Sequence, residues 1–206
     1  MSKKFLLVFS LVIFGIIIFT GCTSIVLPTE ETNIVKNGDF SDHTLLPTVA
    51  PTDTTNFGKW FLFEASWWGE SWNATITQNS EFSAEVLTHG AAPWDNNDYW
   101  WFLQLAQWLE GYEEGTTYVL TFDASVTSPN EIHVALWEEF NHTSQSDDGN
   151  VIFDKVVSID SATTVELNIP AYTLTDPNNP VKLGFEFGLS ATDSVIFIDN
   201  VKLIEQ

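Results

Sequence analysis

The chain has 206 residues, of which 28 are acidic and 7 basic, so its formal net charge at pH 7 is −21, and it has one cysteine. A negative charge of this size disfavours electrostatic binding to nucleic acid or to an anionic lipid surface. A single cysteine can form neither an internal disulfide nor a thiolate zinc site. Aromatic residues make up 14% of the chain, which is untypical of a disordered acidic segment, and the length fits one folded domain.

The N-terminal residues have the pattern of a secretory signal peptide. Two lysines precede an uncharged, apolar run from residue 5 to 19, which is short for a membrane-spanning helix. The run ends at Phe-Thr-Gly before Cys22, which resembles the bacterial lipobox, in which the cysteine is lipidated and becomes the new N-terminus. We therefore predict a signal peptide at 1–21, lipidated Cys22 and a tether at 22–32, and a location in the bacterial cell envelope, outside the cytoplasm. A plain signal peptide or an uncleaved anchor is the alternative.

From residue 33 to 206, short segments rich in β-branched and aromatic residues alternate with turn sequences. The strands predicted from this pattern are 74–78, 83–88, 117–126, 132–137, 151–159, 165–169, 181–189 and 195–204. No window sustains an amphipathic helix over three turns. About ten short strands at this spacing predict an all-β domain, a β-sandwich of the jelly-roll type, with residues 41–58 as a long loop.

Eight of the nine tryptophans fall within residues 60–108. They are Trp60, Trp67, Trp68, Trp72, Trp94, Trp100, Trp101 and Trp108. Neighbours on a strand point to opposite faces, so one member of each adjacent pair is expected to be exposed unless a loop covers it. Exposed aromatic side chains among amides and carboxylates are typical of a binding surface.

The same residue types suit a sugar ligand. An indole can stack on the apolar face of a pyranose ring, while carboxylates and amides, the latter including Gln104 and Gln107, hydrogen-bond its hydroxyl groups. The chain has no arginine to receive phosphate, sulfate or uronate groups. The composition therefore favours a neutral glycan.

Three motifs in order extend this interpretation. They are N-I-V-K-N-G-D-F-S at 33–41 with Trp60 after it, W-F-L-Q-L-A-Q at 101–107 followed by G-T-T-Y-V-L-T-F-D-A at 115–124, and G-F-E-F-G at 184–188 followed by I-F-I-D-N-V-K-L at 196–203. Together they resemble bacterial carbohydrate-binding modules of the family 4, 9 and 22 group. The resemblance implies a non-catalytic β-jelly roll whose concave sheet binds single glycan chains in a groove.

The resemblance also implies site residues. It places the stacking tryptophan at Trp101 and the polar groove residue at Gln104, with Trp94 as an alternative register for the tryptophan. The remaining candidates near groove positions are Trp137, Phe140 and Glu186.

A structural calcium ion between the chain ends is a further implication of the resemblance. Asp199 matches the C-terminal ligand of the family. Ser41 stands where the family usually has a glutamate, so Asp39 or Asp42 would have to supply the missing oxygen, which calcium's irregular oxygen shells allow.

Catalytic signatures are absent from the sequence. Glycoside hydrolysis needs two acids about 5–10 Å apart, and Glu186 is the best single acid but has no evident partner. The sequence has no serine-hydrolase elbow, phosphate loop or H-E-x-x-H motif. We predict a non-enzymatic lipoprotein that binds a neutral β-glucan or xylan-like chain for hydrolases or transporters to use. The alternatives are an envelope protein-interaction module on the same fold, or a small glycoside hydrolase.

Overall fold

Strands account for nearly all regular structure in the computed structural model. It describes residues 32–42, 44, 46–47, 56–64, 75–78, 84–88, 100, 103–139, 149–188, 190 and 194–206. These residues belong to one unit, Thr32–Gln206. The signal peptide and Cys22 lie outside the described residues and stay predictions. Within the described ranges, no helix combines the length and apolar character needed to cross a membrane.

The described part of the chain contains eleven strands. They are β1 Leu46–Pro47, β2 Trp60–Glu64, β3 Thr75–Gln78, β4 Ala84–Thr88, β5 Leu103–Trp108, β6 Tyr118–Val126, β7 Asn130–Glu139, β8 Gly149–Ile159, β9 Thr163–Ile169, β10 Val181–Glu186 and β11 Ser194–Glu205. The eight strands predicted from the residue pattern are all present, with shifted ends. The residue pattern did not predict β2 or β5, and β1 lies inside the segment predicted as a loop.

The strands form two sheets, one of six strands in the order β1-β2-β5-β10-β7-β8 and one of five in the order β3-β4-β11-β6-β9. β1 and β2 pair in parallel, and all the other pairs are antiparallel. Strands distant in sequence are neighbours in both sheets. The predicted all-β jelly-roll sandwich is confirmed.

The core consists of the alternating apolar residues of both sheets. Tyr118, Leu120 and Phe122 on β6 are fully buried, as their period-2 pattern predicts. Trp60 is also buried, and its ring lies 5.1 Å from that of Phe40 and donates its indole N–H to a backbone carbonyl. Each such large side chain contributes about 1.5–3 kcal/mol through burial.

The N-terminal segment is tied to the last strand and to β5. The backbone N–H of Val201 donates to the Gly38 carbonyl at 2.9 Å. A Cβ atom at residue 38 would lie 1.9 Å from the Val201 carbonyl oxygen, so only glycine fits there. The amide of Gln107 accepts from Lys36 N–H at 2.9 Å and donates to the Lys36 carbonyl at 2.8 Å. These contacts explain the first motif as a structural one.

Candidate ligand-binding face

Gln104, Glu186 and His133 lie directly opposite one another on β5, β10 and β7. Directly opposed residues of an antiparallel pair point to the same side of the sheet. Their chain neighbours Leu105 and Phe185 are buried in the core between the sheets. The three polar side chains therefore point away from the core, on what we call the outer face of the six-stranded sheet.

Two further rows cross the outer face parallel to this polar row. The next row holds only small residues, Ala106, Gly184 and Ala135. The row beyond it is Trp108, Lys182 and Trp137. A Cβ added to Gly184 would lie 3.6 Å from Glu186 Oε1, an ordinary contact distance. The three small residues are themselves buried and lie between the polar row and the aromatic row.

The Glu186 carboxylate connects the aromatic side chains of this face. Its Oε2 lies 2.6 Å from His133 Nδ1, and its Oε1 accepts the Trp137 indole N–H at 3.3 Å. The ring of Trp100, which precedes β5, lies 5.8 Å from the His133 ring at an angle of 31°. Glu186 therefore orients Trp137 directly and contacts Trp100 through His133.

His133 lies between two carboxylates. Its Nε2 is 3.4 Å from Asp154 Oδ2 on β8. Burial lowers the pKa of His133, but the hydrogen bonds and charges of Glu186 and Asp154 outweigh it and raise the pKa above the ordinary value. The two carboxylates therefore favour the protonated imidazole over the neutral one.

A buried ion pair closes the other end of the outer face. Lys182 Nζ lies 2.8 Å from Glu139 Oε1, with both side chains at most 7% exposed. The ammonium group lies 5.8 Å from the centre of the Trp108 ring, and that ring stacks on Phe61 at 5.6 Å. Lys182 therefore already has an anionic partner at this end of the face.

Among the described residues around the polar row, most of the exposed side chains lie on the side of the face formed by β7 and β8. Gln104 and Glu186 are 1% exposed, so they lie beneath the surface. Trp100 and Trp137 are partly exposed, and three residues of the edge strand β8 are exposed: Val151, Asp154 and Val156. We call these five residues the contact strip, because a ligand on this face meets them first.

The structure brings together three of the predicted site residues, Gln104, Trp137 and Glu186, on one face. Trp101, Trp94 and Phe140 lie outside the described residues and stay predictions. Sequence reasoning missed His133 and Trp100. The alternation of β7 carried a signal for His133, because His133 and Trp137 are four residues apart on one strand and so share a face.

The predicted role of Gln107 in sugar binding differs from what the structure shows. Its side chain is fully buried, and both ends of its amide bind the Lys36 backbone. The reason lies in strand parity, since Gln107 and Gln104 are three residues apart on β5 and face opposite sides.

Asp199, the predicted calcium ligand on β11, lies near other carboxylates. Burial raises the pKa of Asp199, and the negative charges of Asp123 and Asp39 raise it further. Ser41 N–H donates to Asp39 Oδ1 at 3.2 Å. Across the described ranges, no three His, Cys, Asp or Glu side chains are grouped to hold a metal ion. Calcium beside Asp199 stays a prediction, and part of its shell would have to come from carbonyl or hydroxyl oxygens.

A separate depression of about 630 Å³ lies on the five-stranded sheet. Its lining includes Asp123, Thr164, Phe197 and Asp199. The Asp123 carboxylate accepts from Thr164 Oγ1 at 2.6 Å and from Asn200 Nδ2 at 2.9 Å, so it is already engaged within the protein. With one aromatic residue in its lining, this depression is a poorer sugar platform than the outer face.

Solved structures share this architecture. A carbohydrate-binding module (CBM4) aligns with 84% of this chain and 99% of its own, with a TM-score of 0.59 and 22% identity. A protein from Bacteroides thetaiotaomicron VPI-5482 assigned to sugar binding aligns with 85% of this chain and 100% of its own, with a TM-score of 0.61 and 16% identity. The Stig cyclase Fisc from Fischerella sp. TAU aligns with 85% and 98%, with a TM-score of 0.54 and 14% identity.

The sequence matches no protein-family model and no curated protein. At these identities the structural likeness establishes the fold. This fold is that of carbohydrate-binding modules, so the resemblance drawn from the motifs is confirmed at the level of the fold. A cyclase has the same fold, so the fold alone does not decide the function. The function therefore has to be inferred from the residues of the outer face.

Proposed function

We propose that this protein binds a neutral polysaccharide, without cleaving it, through the outer face of its six-stranded sheet. The observation that carries the proposal is the placement of two partly exposed indoles, Trp100 and Trp137, around one carboxylate–imidazole pair. Indole faces can pack on the apolar faces of sugar rings. Polar groups at the edge of the strip, such as Asp154, can accept hydrogen bonds from sugar hydroxyls.

Charge supports a neutral ligand. The chain has no arginine and a net charge of −21, and Lys182, the one lysine among the described residues of the outer face, is paired with Glu139. A uronic acid or sulfated chain would meet repulsion without compensation. A β-glucan or a xylan-like chain is the ligand class we propose.

The arrangement of acids favours binding over hydrolysis. The Glu186 carboxylate is buried and hydrogen-bonded by His133, and the imidazole lies between it and Asp154. An inverting glycosidase keeps water and substrate between its two acids, but here an imidazole ring occupies that space.

The proposed setting is the bacterial cell envelope. Lipidation of Cys22 would anchor the chain, and residues 22–32 would act as a tether. The outer face would then hold polysaccharide outside the cytoplasm, where a glycoside hydrolase or a transporter can use it. An envelope protein-interaction module on the same fold is the alternative outcome of the test below.

Native affinity electrophoresis tests the proposal. The full chain, kept soluble in neutral detergent, would run through gels cast with laminarin, lichenan, xylan, glucomannan or hydroxyethylcellulose, with pectin as an anionic control. We expect retardation in one or two neutral gels. Trp137→Ala should weaken it by about 30-fold, the cost of losing an interface hot spot of about 2 kcal/mol, and Trp101→Ala should abolish it if the resemblance places that residue correctly.

Phe197→Ala is the matched control, because Phe197 is a partly exposed aromatic residue of the five-stranded sheet. It should leave retardation unchanged. Loss of retardation in Phe197→Ala but not in Trp137→Ala would move the site to the other sheet. A folded protein that no glycan retards would favour the protein-interaction module.

A further inference from the structure

We propose that Glu186 and His133 are positioning residues that hold the two indoles of the contact strip, and that polysaccharide binds most tightly when His133 is protonated. This inference rests on the proposed function. According to this proposal, the buried centre of the outer face helps to set the affinity for polysaccharide. The affinity then changes over the pH range in which His133 loses its proton.

Glu186 lies beneath the surface of the outer face. It is 1% exposed, so it cannot be the first group that a ligand touches. Hydrogen bonds nevertheless join it to Trp137 Nε1 at 3.3 Å and to His133 Nδ1 at 2.6 Å, and the Trp137 ring is partly exposed on this face. Hydrogen bonds to a buried carboxylate are strong because little water screens them. Glu186 is thus a fixed anchor for rings that extend towards the ligand.

His133 contacts the Glu186 carboxylate through its Nδ1 atom. A 2.6 Å contact with a carboxylate requires the proton on Nδ1, whether the ring is neutral or charged. Protonation therefore changes Nε2, which lies 3.4 Å from Asp154. In the charged ring Nε2–H donates to Asp154, and the ring attracts the π face of Trp100. In the neutral ring the Nε2 lone pair opposes the Asp154 carboxylate, and the attraction to Trp100 weakens.

The electrostatic surroundings of His133 favour its protonated form. Among the described residues, the charged side chains on the neighbouring positions of this face are Glu186 on β10, Asp154 on β8 and Glu131 on β7 itself. β5 contributes the neutral Gln104 beyond Glu186. The Lys182–Glu139 pair lies at the other end of the face. All the charged groups on these neighbouring positions of the outer face are negative, so they raise the pKa of His133 above its ordinary value.

The first test uses the wild-type protein alone. Retardation by the glycan that binds best in the gel panel should be about tenfold weaker at pH 9 than at pH 6. Coupling between two sites is reciprocal, so saturation with the same glycan should raise the His133 pKa, followed by NMR of the assigned ring resonances, by about one unit. A histidine with a purely structural role would keep its pKa when the glycan binds.

Two variants separate the roles of the pair. His133→Asn keeps an N–H donor near the Nδ1 position but cannot titrate, so its affinity should be independent of pH and equal to the weak wild-type value at pH 9. Glu186→Gln keeps an acceptor for Trp137 and removes the charge that favours the imidazolium. Its pH step should therefore move to lower pH. Glu166→Gln, which removes an exposed carboxylate of β9 on the five-stranded sheet, should behave like the wild type.

The outcomes distinguish this inference from the proposed function. Equal retardation at pH 6 and pH 9 would overturn the positioning role while leaving polysaccharide binding intact. A pH step that persists in His133→Asn would assign the titration to another group and would also overturn it. No retardation at either pH, with any glycan of the panel, would overturn both.

Discussion

Replacing Glu138 with glutamine should strongly destabilise the fold. Glu138 is fully buried, and its Oε1 accepts from Thr175 N–H and Oγ1, each at 2.6 Å, from Asn179 Nδ2 at 2.8 Å and from Asp176 N–H at 3.2 Å. Its Oε2 accepts from Tyr172 OH at 3.0 Å and Asn150 Nδ2 at 3.2 Å. One carboxylate thus fixes the segment that leads into β10.

The magnitude follows from the pKa of this carboxyl group. Burial alone would raise the pKa of Glu138, but the hydrogen bonds from Thr175, Asn179, Asn150 and Asp176 outweigh burial and lower it from 4.5 to about 2. A shift of this size corresponds to about 3 kcal/mol of stability for the ionised form. Since the folded-state pKa is lowered, this stability is fully present above about pH 4.5 and is lost as the pH falls towards 2.

Urea denaturation followed by tryptophan fluorescence measures both effects. At pH 7, Glu138→Gln should lose about 3 kcal/mol of unfolding free energy. Between pH 5 and pH 2 the wild type should lose that amount in addition to whatever the variant loses, so the two curves should converge near pH 2. Glu131→Gln, on the same strand but exposed, should stay within about 0.5 kcal/mol of the wild type. A Glu138→Gln variant that loses less than about 1 kcal/mol and keeps the wild-type acid slope would refute the reasoning.

Two further predictions concern the ends of the chain. Gln107→Leu should cost about 1–3 kcal/mol in urea denaturation, because it removes both hydrogen bonds to the Lys36 backbone, and it should leave glycan retardation intact; a loss of retardation without a loss of stability would return Gln107 to the binding site. If calcium binds beside Asp199, both a chelator and Asp199→Asn should lower the melting temperature. If no cation binds there, Asp199→Asn should raise it, because the repulsion from Asp39 and Asp123 that raises the Asp199 pKa is relieved.

The fold was accessible from the sequence because most strands carry a clear local pattern. β6 alternates over nine residues and buries every second side chain as far as Ala124. β2 lacks such a signal, since W-F-L-F is apolar on both sides. Trp60 faces the core, whereas Phe61 stacks on Trp108 of the outer face. A strand that is buried on both faces has no period-2 pattern to read.

The site was only partly accessible, because it depends on which distant strands become neighbours. Nothing in the local sequence brings Glu186 beside His133, since they are 53 residues apart and meet only when β10 inserts between β5 and β7. The sequence motifs predict Glu186 on a closing strand, and no partner acid for it is evident in the sequence. The partner is an imidazole, which a search for pairs of acids does not find.

Two buried glutamates therefore have different physical roles on one sheet. The described donors to Glu138 come largely from one loop segment, including backbone N–H groups of Thr175 and Asp176, so its charge stabilises the fold. The described donors to Glu186 are an imidazole and an indole, which are side chains of the outer face rather than parts of the framework. A carboxylate that holds backbone is expected to change stability when it is replaced, whereas one that holds aromatic side chains is expected to change affinity. Comparing the unfolding free energy and the glycan affinity of Glu138→Gln and Glu186→Gln tests that distinction directly, and an equal effect of the two variants on both quantities would contradict it.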